Sequence, residues 1–446
     1  MNLISKIRLN TFWLLDSLKG GYLKKDLADI KECFEITSFS LLKKRNSPVL
    51  RNLLNTAVNS TKFYSDYKSF KTLEDFPVVN KSIIKNNFDD INIIPTNNPE
   101  LLEASSSGST GTPFKVYQTK RKARRNKADV IFFANAVGYT IGDQLIFIRL
   151  WMKKYRKSPL FKKLINIIEV DVEDDLTDEK IAQLVSKIKT DKQAKGFIGY
   201  PSGFEKICKY LDKVNSPSLN CNIKSIIATS ESLYDNVRQK MEYYFDAPIV
   251  SRYSNEENGI LSQQMVNDSS YTINWASFFV EILDINKDEP AKPGELGRVV
   301  VTDLYNLATP LIRYDTGDLG KFCNNENDNI PKFEVITGRK KDTLYNTKGD
   351  IVNSFIVYNG LTKFPELNQF QIIQYSKKDY TFKINIDSKF AREQEFISYY
   401  KSYLGDNSNI SIEYVNEIPA LSSGKRRVII NLHKENAQKL ASNENY

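Results

Sequence analysis

Histidine and cysteine are scarce in this chain of 446 residues, which has one histidine and four cysteines. Cys33, Cys208, Cys221 and Cys323 lie far apart, and His433 stands near the end of the sequence. They offer no zinc-ligand spacing. A lone histidine also argues against Ser-His-Asp or Cys-His catalysis, so acid/base work is expected to fall to carboxylates, lysine or tyrosine. The scattered cysteines predict a reducing, cytoplasmic location.

Long apolar runs are also missing. No segment approaches the roughly 20 residues that a membrane span needs, so no transmembrane segment is expected. Residues 1–19 lack a small-residue cleavage site and are interpreted as an ordinary helix rather than a signal peptide. We expect the apolar face of this helix to pack on the protein, although such a face would also suit a membrane surface. The face comprises Ile4, Ile7, Leu14, Leu15 and Leu18.

Acidic residues are outnumbered, because 54 Asp and Glu against 63 Lys and Arg leave a formal net charge of +9. This excess favours anionic partners without specifying them. No recognisable nucleic-acid-binding module is present, so no nucleic-acid partner is expected. The basic residues form two clusters, each interpreted as a solvated helix face, with binding of an anionic ligand as the alternative. The clusters are Lys115, Lys120, Arg121, Lys122, Arg124, Arg125 and Lys127, and then Lys153, Lys154, Arg156, Lys157, Lys162 and Lys163.

The periodicity of the sequence predicts an α/β fold. Residues 1–100 are expected to form a helical layer that includes an amphipathic helix at Leu50–Tyr67. Residues 101–270 alternate short apolar runs with helical stretches, as in a parallel α/β core. Residues 271–338 are β-rich and are expected to be antiparallel and barrel-like. After a composition break, residues 339–446 predict a small α+β domain.

Specific segments carry this prediction. The core strands are predicted at Gln144–Leu150, Ala194–Ile198, Lys224–Ala228 and Pro248–Ser251. The helices between these strands are predicted at Leu176–Thr190 and Leu233–Phe245. The strands of the last domain are predicted at Asn368–Gln374, Tyr380–Ile386 and Ile410–Val415.

A run rich in serine and glycine begins at Ser105 and ends at Pro113. Glycines let the backbone turn its N–H groups toward a ligand, and the hydroxyls add donors, so a phosphate chain would suit this run. It is not a Walker loop, because no Gly-Lys-Ser/Thr closes it, and its composition also suits a flexible linker. The candidate phosphate-binding residues are Ser105, Ser106, Ser107, Gly108, Ser109, Thr110, Gly111 and Thr112.

Four further polar motifs follow along the chain. Residues 253–257 read Tyr-Ser-Asn-Glu-Glu, and residues 314–318 read Tyr-Asp-Thr-Gly-Asp. Residues 338–342 read Gly-Arg-Lys-Lys-Asp, and residues 423–427 read Ser-Gly-Lys-Arg-Arg. Taken alone, a Thr-Gly-Asp is typical of a surface turn and Gly-Lys-Arg-Arg of a basic turn. The order of the five motifs is therefore more informative than any one of them.

In that order the motifs resemble those of the adenylate-forming enzymes, which include acyl-CoA synthetases, peptide-synthetase adenylation domains and luciferases. The resemblance covers nearly the whole chain. It implies a large multi-layer N-terminal adenylation domain at residues 1–338 and a small mobile C-terminal catalytic domain at 339–446. It also implies ATP and Mg²⁺ as cofactors, a small-molecule carboxylic acid as substrate, and a thiol such as CoA or an amine as acceptor.

The resemblance also implies roles for individual residues. Tyr253 would stack near the adenine, and Asp318 would bind the ribose hydroxyls, a task that suits a carboxylate because it can accept two hydrogen bonds. Glu257 would be the magnesium ligand. Glu256 remains an alternative, because Ser254 and Glu256 stand where the family has glycine and threonine.

Further roles fall in the last part of the chain. Arg339 would lie near the nucleotide, and Lys341 would be the hinge about which the C-terminal domain turns. Gly349 would leave room for the acceptor. Lys425 would be catalytic, reaching the α-phosphate and the substrate carboxylate, where its charge would offset the charge that builds up during attack.

Within this superfamily, four segments resemble the phenylacetate–CoA ligase group and, within it, the CapK-type proteins of capsule and surface-polysaccharide gene clusters. They are Asp75–Lys81, Gly199–Ser202, Thr229–Ser232 and Gln369–Gln374. Ser230 and Glu231 would then line the adenine pocket. The implied function is a carboxylic acid ligase whose substrate or acceptor could be a sugar conjugate. The alternatives are an amide-forming ligase that joins an amine or amino acid to a sugar acid, and a non-catalytic nucleotide-binding protein with a degenerate adenylation fold.

Overall fold

The computed structural model describes residues 2–94, 98–106, 114–151, 156–172, 174–324, 328–339, 344–352, 363–364, 366–386, 390–419 and 428–433. Its helices are α1 Leu3–Leu18, α2 Tyr22–Phe34, α3 Phe39–Ser60, α4 Lys81–Asn86, α5 Phe88–Ile91, α6 Lys120–Asn135, α7 Pro159–Ile165, α8 Asp178–Thr190, α9 Pro201–Lys213, α10 Asp235–Phe245 and α11 Glu393–Leu404. Short 3-10 helices occupy Ser65–Tyr67 and Leu73–Asp75.

The strands of the first two-thirds of the chain are β1 Leu102–Ser106, β2 Phe114–Gln118, β3 Gln144–Arg149, β4 Ile167–Asp171, β5 Lys195–Gly199, β6 Ile223–Thr229, β7 Ile249–Asn255, β8 Gly259–Gln264, β9 Tyr271–Ile273, β10 Phe278–Leu283 and β11 Gly297–Asp303. They are followed by β12 Tyr314–Phe322, β13 Lys332–Arg339, β14 Leu344–Tyr345, β15 Ile351–Val352, β16 Gln369–Gln374, β17 Asp379–Asn385, β18 Asn409–Tyr414 and β19 Ile429–Asn431.

The chain divides into two compact units. The first comprises Met1–Leu233, Val237–Thr316 and Gly320–Ile336, and the second comprises Tyr234–Asn236, Gly317–Leu319 and Thr337–Tyr446. Each unit has its own apolar core. Among the described helices, none is long and apolar enough to cross a membrane.

A large sheet forms the centre of the first unit, with its strands in the order β10-β11-β12-β13-β9-β8-β7-β6-β5-β3-β4. From β4 to β7 neighbouring strands are parallel, with helices in the connections, which is the α/β arrangement predicted from the sequence. From β7 to β9 the strands pair antiparallel. Where the sequence predicts a barrel-like section at residues 271–338, the strands instead extend this same sheet, because β9 pairs with β8 on one side and with β13 on the other.

The N-terminal helical layer is present, but the predicted helix at Leu50–Tyr67 is wrong at both ends. Helix α3 begins after Ser38, whose hydroxyl accepts a hydrogen bond from the Leu41 N–H at 3.2 Å, and it contains Pro48. The helix ends at Ser60 because Thr61 is extended and its hydroxyl accepts the Tyr64 N–H at 3.0 Å. A serine cap and a threonine turn therefore set the boundaries that periodicity alone misplaced.

The basic helix α6 differs from the solvated face expected for its cluster. The side chains of Lys122 and Asp303 are both 0% exposed, and Lys122 Nζ lies 2.6 Å from Asp303 Oδ2. Arg125 is also buried and donates to Ser277 Oγ at 2.9 Å, while Ser277 in turn donates to Asp129 Oδ1 at 2.9 Å. Burial raises the pKa of Asp129 to about 6, although Arg125 and Lys122 act in the opposite direction. Part of this cluster therefore lies in the interior, paired with acidic and polar side chains, rather than facing solvent.

The second unit contains a sheet in the order β18-β17-β16-β19, against which α11 packs. Strands β16 and β17 are antiparallel, whereas β19 is parallel to β16 and β18 is parallel to β17. Phe396, Tyr400 and Leu404 of α11 are buried among aromatic side chains of the sheet. This is the small α+β arrangement that the sequence predicts for the last hundred residues.

Candidate active site

Glu257 lies in the turn between β7 and β8, and only 2% of it is exposed. Its backbone carbonyl accepts a hydrogen bond from Gln118 Nε2 at 3.1 Å. The turn is closed by Asn255, whose Oδ1 accepts the Asn258 N–H at 2.8 Å. Glu256, the alternative metal ligand, is exposed. The two neighbouring carboxylates therefore occupy opposite environments.

Two side chains from distant parts of the sequence meet the Glu257 carboxylate. Tyr314 donates from its hydroxyl to Oε1 at 2.6 Å, and Lys81 Nζ lies 3.0 Å from the same oxygen. Phe114, the first residue of β2, stacks on Tyr314 with ring centroids 6.3 Å apart, and Lys81 Nζ is 5.3 Å from the Phe114 ring centroid. The buried charge of Glu257 is thus balanced by a cation beside Phe114, which follows the serine/glycine-rich run in the sequence.

Lys81 reaches this position because its segment is fixed to the strand that carries Tyr314. The Val79 N–H donates to the Arg313 carbonyl at 3.0 Å, and the Asp315 N–H donates to the Val79 carbonyl at 2.7 Å. Asn80 then caps α4 by accepting the Ser82 and Ile83 N–H groups, which makes Lys81 the first residue of that helix. Backbone pairing and a helix cap together direct the ammonium toward Glu257.

The Arg313 side chain also fixes the segment that leads to Lys81. Its guanidinium binds both carboxylate oxygens of Glu281, with Nη2 at 2.9 Å from Oε1, and it donates from Nη1 to the Phe76 carbonyl at 3.0 Å. The side chains of Arg313 and Glu281 are 6% and 12% exposed. Burial raises the pKa of Glu281, while the hydrogen bond and the charge of Arg313 lower it. This is a buried, bidentate ion pair of the kind that gives fixed geometry.

The predicted adenine-side residues lie at the carboxyl ends of two adjacent parallel strands, β6 and β7. Thr229 ends β6, and its hydroxyl lies 3.5 Å from that of Ser254 in β7. Tyr253 donates from its hydroxyl to Thr316 Oγ1 at 3.3 Å. In open α/β sheets, ligands generally bind at this edge, outside the carboxyl ends of the parallel strands.

Ser230 and Glu231 follow directly after β6. Ser230 adopts a left-handed backbone conformation with φ of 71°. Glu231 accepts the Ser202 N–H at 3.0 Å and so caps the start of α9. Nearby Tyr200, which follows β5, is buried, and its pKa is raised by burial, with further increases from Glu231 and Glu256. Glu231, one of the two predicted adenine-pocket residues, therefore also makes a hydrogen bond that satisfies the start of α9.

Asp318 and Gly349 belong to the second unit. Asp318 is half-buried within β12, so the Thr-Gly-Asp sequence forms part of a strand rather than the surface turn that such a sequence suggests alone. Gly317 has φ of 81°. Gly349 has φ of 99°, and its N–H donates to the Asn346 carbonyl at 3.0 Å in the turn between β14 and β15. A positive φ at this turn is a sufficient reason for glycine there.

Of the remaining predicted site residues, the structure describes only some. Ser105 pairs with Lys115 in the β1–β2 ladder, and Ser106, paired with Phe114, ends β1. Arg339 ends β13. The following lie outside the described residues: Ser107, Gly108, Ser109, Thr110, Gly111, Thr112, Lys341 and Lys425.

The donor set fits magnesium better than a metal that needs several protein ligands. Within the described ranges, no group of three or more His, Cys, Asp and Glu side chains could hold a metal ion. Magnesium is often held by one or two carboxylates together with substrate phosphates and water. Glu257 supplies one such carboxylate. The contacts with Tyr314 and Lys81 are both made by its Oε1, and neither involves Oε2.

Sequence reasoning missed two members of this cluster. Lys81 belongs to one of the segments that resemble phenylacetate–CoA ligases, and Tyr314 opens the Tyr-Asp-Thr-Gly-Asp motif, yet the sequence alone predicts no role for either residue. The available signal was their presence in two recognised motifs. What could not be read is that Val79 pairs with Arg313 and Asp315 and so brings the motifs together.

The chain is similar in sequence to several known proteins. Residues 344–432 match the CapK C-terminal domain. The chain is 24% identical to Protein CapK of Staphylococcus aureus, with 94% of this chain and 96% of that protein covered. It is 20% identical to the phenylacetate-coenzyme A ligase of Escherichia coli (strain K12), with 73% and 72% covered.

Among solved structures, the fold is similar to that of 2-hydroxyisobutyryl-CoA ligase in the postadenylation state in complex with 2-HIB-AMP. The TM-score is 0.67 at 18% identity, with 90% of this chain and 92% of that chain covered. At this identity the likeness concerns the fold, and it extends over most of both chains. The chain is therefore a homologue of CapK and of the phenylacetate–coenzyme A ligases, with the fold of the adenylate-forming CoA ligases.

Proposed function

We propose that this protein is an AMP-forming carboxylic acid ligase. A carboxylate oxygen attacks the α-phosphorus of ATP, the bond from that phosphorus to the bridging oxygen breaks, and pyrophosphate leaves. The acceptor then attacks the carbonyl carbon of the acyl-adenylate, loses its proton and displaces AMP. Homology to phenylacetate–coenzyme A ligases supports this reaction class. Residues 1–338 would form the adenylation domain and residues 339–446 the catalytic lid.

The observation that carries the proposal is the cluster of Glu257, Tyr314 and Lys81. Three motifs that are separate in the sequence meet at one buried carboxylate oxygen. A buried carboxylate close to Phe114, the residue that follows the proposed phosphate-binding run in the sequence, suits a magnesium ion shared with nucleotide phosphates. Magnesium, when bound, would offset the negative charge of the phosphates. Burial and these contacts favour Glu257 over the exposed Glu256 as its ligand.

The other residues have roles that fit this reaction. Residues Ser105 to Thr112 would bind the phosphates, Tyr253, Ser230 and Glu231 would surround the adenine, and Asp318 and Arg339 would hold the nucleotide. Lys425 would stabilise the charge formed during attack, Lys341 would act as the hinge between the two half-reactions, and Gly349 would lie on the acceptor side.

The similarity to Protein CapK, together with the segments that resemble CapK-type proteins of polysaccharide gene clusters, is the ground for proposing a role in making a surface polysaccharide. The acceptor is proposed to be a thiol such as CoA, as in the phenylacetate–coenzyme A ligases, or an amine, in which case the substrate could be a sugar acid. Both outcomes share the adenylation step, so the acceptor must be identified by experiment.

The first experiment measures pyrophosphate release from MgATP with a panel of aryl, fatty, amino and uronic acids, each with and without CoA or an amine. We expect release that depends on one acid, and dependence on the acceptor would separate thioester from amide formation. ATP binding without acid-dependent release would instead support the degenerate, non-catalytic alternative.

Variants then test the residue roles. Lys425→Ala should abolish adenylate formation but leave the reaction of preformed adenylate with the acceptor largely intact, and equal loss in both steps would contradict its role. Glu257→Gln should raise the Mg²⁺ concentration needed for half-maximal ATP binding by at least about tenfold. Glu256→Gln is the matched control, since it removes the same charge one residue away, and equal effects in both variants would refute the assignment of Glu257.

A further inference from the structure

Helix α1 carries apolar side chains on two opposite faces. Its inner face is docked, because Ser5 is buried and Phe12 and Trp13 pack on the core of the first unit. The contact is close: a Cβ placed on Gly142 would lie 2.3 Å from the Ser5 carbonyl oxygen. The inner contacts fix the orientation of the helix.

The outer face of α1 is apolar and exposed, contrary to the expectation that it packs on the protein. Its six apolar side chains are between 51% and 75% exposed. At 100° per residue they span an arc of roughly 120° on the side opposite to Ser5, and only Thr11 interrupts it. The six residues are Leu3, Ile4, Ile7, Leu14, Leu15 and Leu18.

Helix α7 places more apolar side chains beside α1. Arg8 of α1 donates from Nη2 to the Lys163 carbonyl at 3.3 Å, which joins the two helices. Leu160, Phe161, Leu164 and Ile165 of α7 are between 39% and 80% exposed. Single exposed apolar residues are ordinary, but ten on two adjacent helices indicate an interaction surface. We call these ten residues the α1–α7 face.

Basic residues accompany the α1–α7 face. Lys6, Lys157 and Lys163 are exposed, and none has a described carboxylate within salt-bridge distance. The nearby acids are already used, since Glu169 pairs with Lys162 and Asp171 pairs with Arg156. Apolar side chains bordered by lysines are typical of helices that lie in the interface of an anionic membrane.

We propose that the α1–α7 face docks on the surface of an anionic phospholipid bilayer, with its leucines inserted among the headgroups and its lysines against lipid phosphates. Charge complementarity favours this partner over a second copy of the chain. In a two-fold symmetric dimer the same face meets itself, which would bring the two sets of lysines together. A bilayer instead satisfies both the apolar and the basic residues.

The test is co-sedimentation of the full chain with phosphatidylcholine vesicles that contain or lack phosphatidylglycerol. We expect binding to the phosphatidylglycerol vesicles that weakens as salt is added. Replacing both Leu14 and Leu18 by serine should lower the partition coefficient by about tenfold or more. Replacing Lys157 and Lys163 by glutamate should remove the preference for phosphatidylglycerol.

A matched control replaces Val214 and Tyr243, which are exposed apolar residues outside this face, by serine. The control variant should bind vesicles like the parent, and all variants should keep the parent's circular dichroism and unfolding midpoint because the altered side chains are exposed. The proposal is overturned if the parent stays in the supernatant at low salt, or if the leucine and control variants bind equally. It is also overturned if light scattering shows a dimer that only the leucine variant dissociates, because the face would then join two copies.

Discussion

The buried ion pair between Arg313 and Glu281 allows a quantitative prediction about the free energy of unfolding. In the variant Arg313→Met, the apolar part of the side chain remains, but Glu281 loses its bidentate partner while only 12% of its side chain is exposed. Breaking such a buried pair costs about 3–5 kcal/mol. For a cooperative unit of roughly 300 residues this corresponds to a fall in Tm of about 5–8 °C.

The size of this loss should depend on pH. Burial already raises the pKa of Glu281 above its ordinary value of 4.5, and removing Arg313 takes away the hydrogen bond and charge that oppose this rise. Protonated Glu281 carries no charge that needs a partner. The cost of leaving this carboxylate unpaired is therefore absent below the pKa that Glu281 has in the unfolded chain. This cost grows as the pH rises through the pKa that Glu281 has in the folded variant. The destabilisation by Arg313→Met should therefore be larger at about pH 7.5 than at about pH 5.

The assay is urea unfolding of the parent and variant at both pH values. The double variant Arg313→Met with Glu281→Met should recover most of the lost stability, because two apolar side chains can replace a buried ion pair. Lys332→Met is the control, since it removes one partner of the half-exposed pair with Asp268 at 2.8 Å and should cost less than about 1 kcal/mol. A pH-independent loss, or a double variant no more stable than the single one, would refute the reasoning.

Two further predictions concern backbone conformation and a buried acid. Gly317→Ala should cost about 1–2 kcal/mol in urea unfolding, because φ is 81° while, apart from the chain neighbours, no atom of the described residues lies within 4 Å of the added Cβ. Gly142→Ala, whose Cβ would meet the Ser5 carbonyl oxygen at 2.3 Å, should cost more, and the reverse order would show that backbone strain is not the cause at Gly317. Burial raises the pKa of Asp129 from 3.8 to about 6, so this group makes the parent lose stability as the pH rises through that window. Asp129→Asn should flatten this part of the pH–stability curve, and an unchanged slope would mean that Asp129 does not titrate there.

The parallel core could be predicted closely from the sequence. The expected strands at Lys224–Ala228 and Pro248–Ser251 correspond to β6 at Ile223–Thr229 and β7 at Ile249–Asn255, and the expected helix at Leu176–Thr190 corresponds to α8. Short apolar runs that are buried on both sides leave a strong local signal. The start of α3 could not be predicted in this way, because a serine cap, not periodicity, determines it.

The candidate site was less accessible to sequence reasoning. A pattern of two adjacent glutamates does not reveal that Glu257 is buried and Glu256 exposed, since the turn after β7 determines which side chain points inward. The partners of Glu257 depend on pairing between segments far apart in the chain. Lys122 illustrates the same difficulty, because it belongs to a basic run but lies buried against Asp303. Local patterns identify motifs, whereas long-range pairing decides which motifs meet.

The order of strands in the large sheet has a consequence for synthesis of the chain. β9 is paired on one side with β8, but its other neighbour, β13, lies far later in the sequence, with Phe333 opposite Tyr271. At typical translation rates, roughly 3 to 13 s separate the emergence of β9 from that of β13. During this interval the nascent chain presents an unpaired strand edge, a site where other chains can add. A ribosome-bound chaperone that protects this edge would therefore have to act in this window, before the sheet is complete.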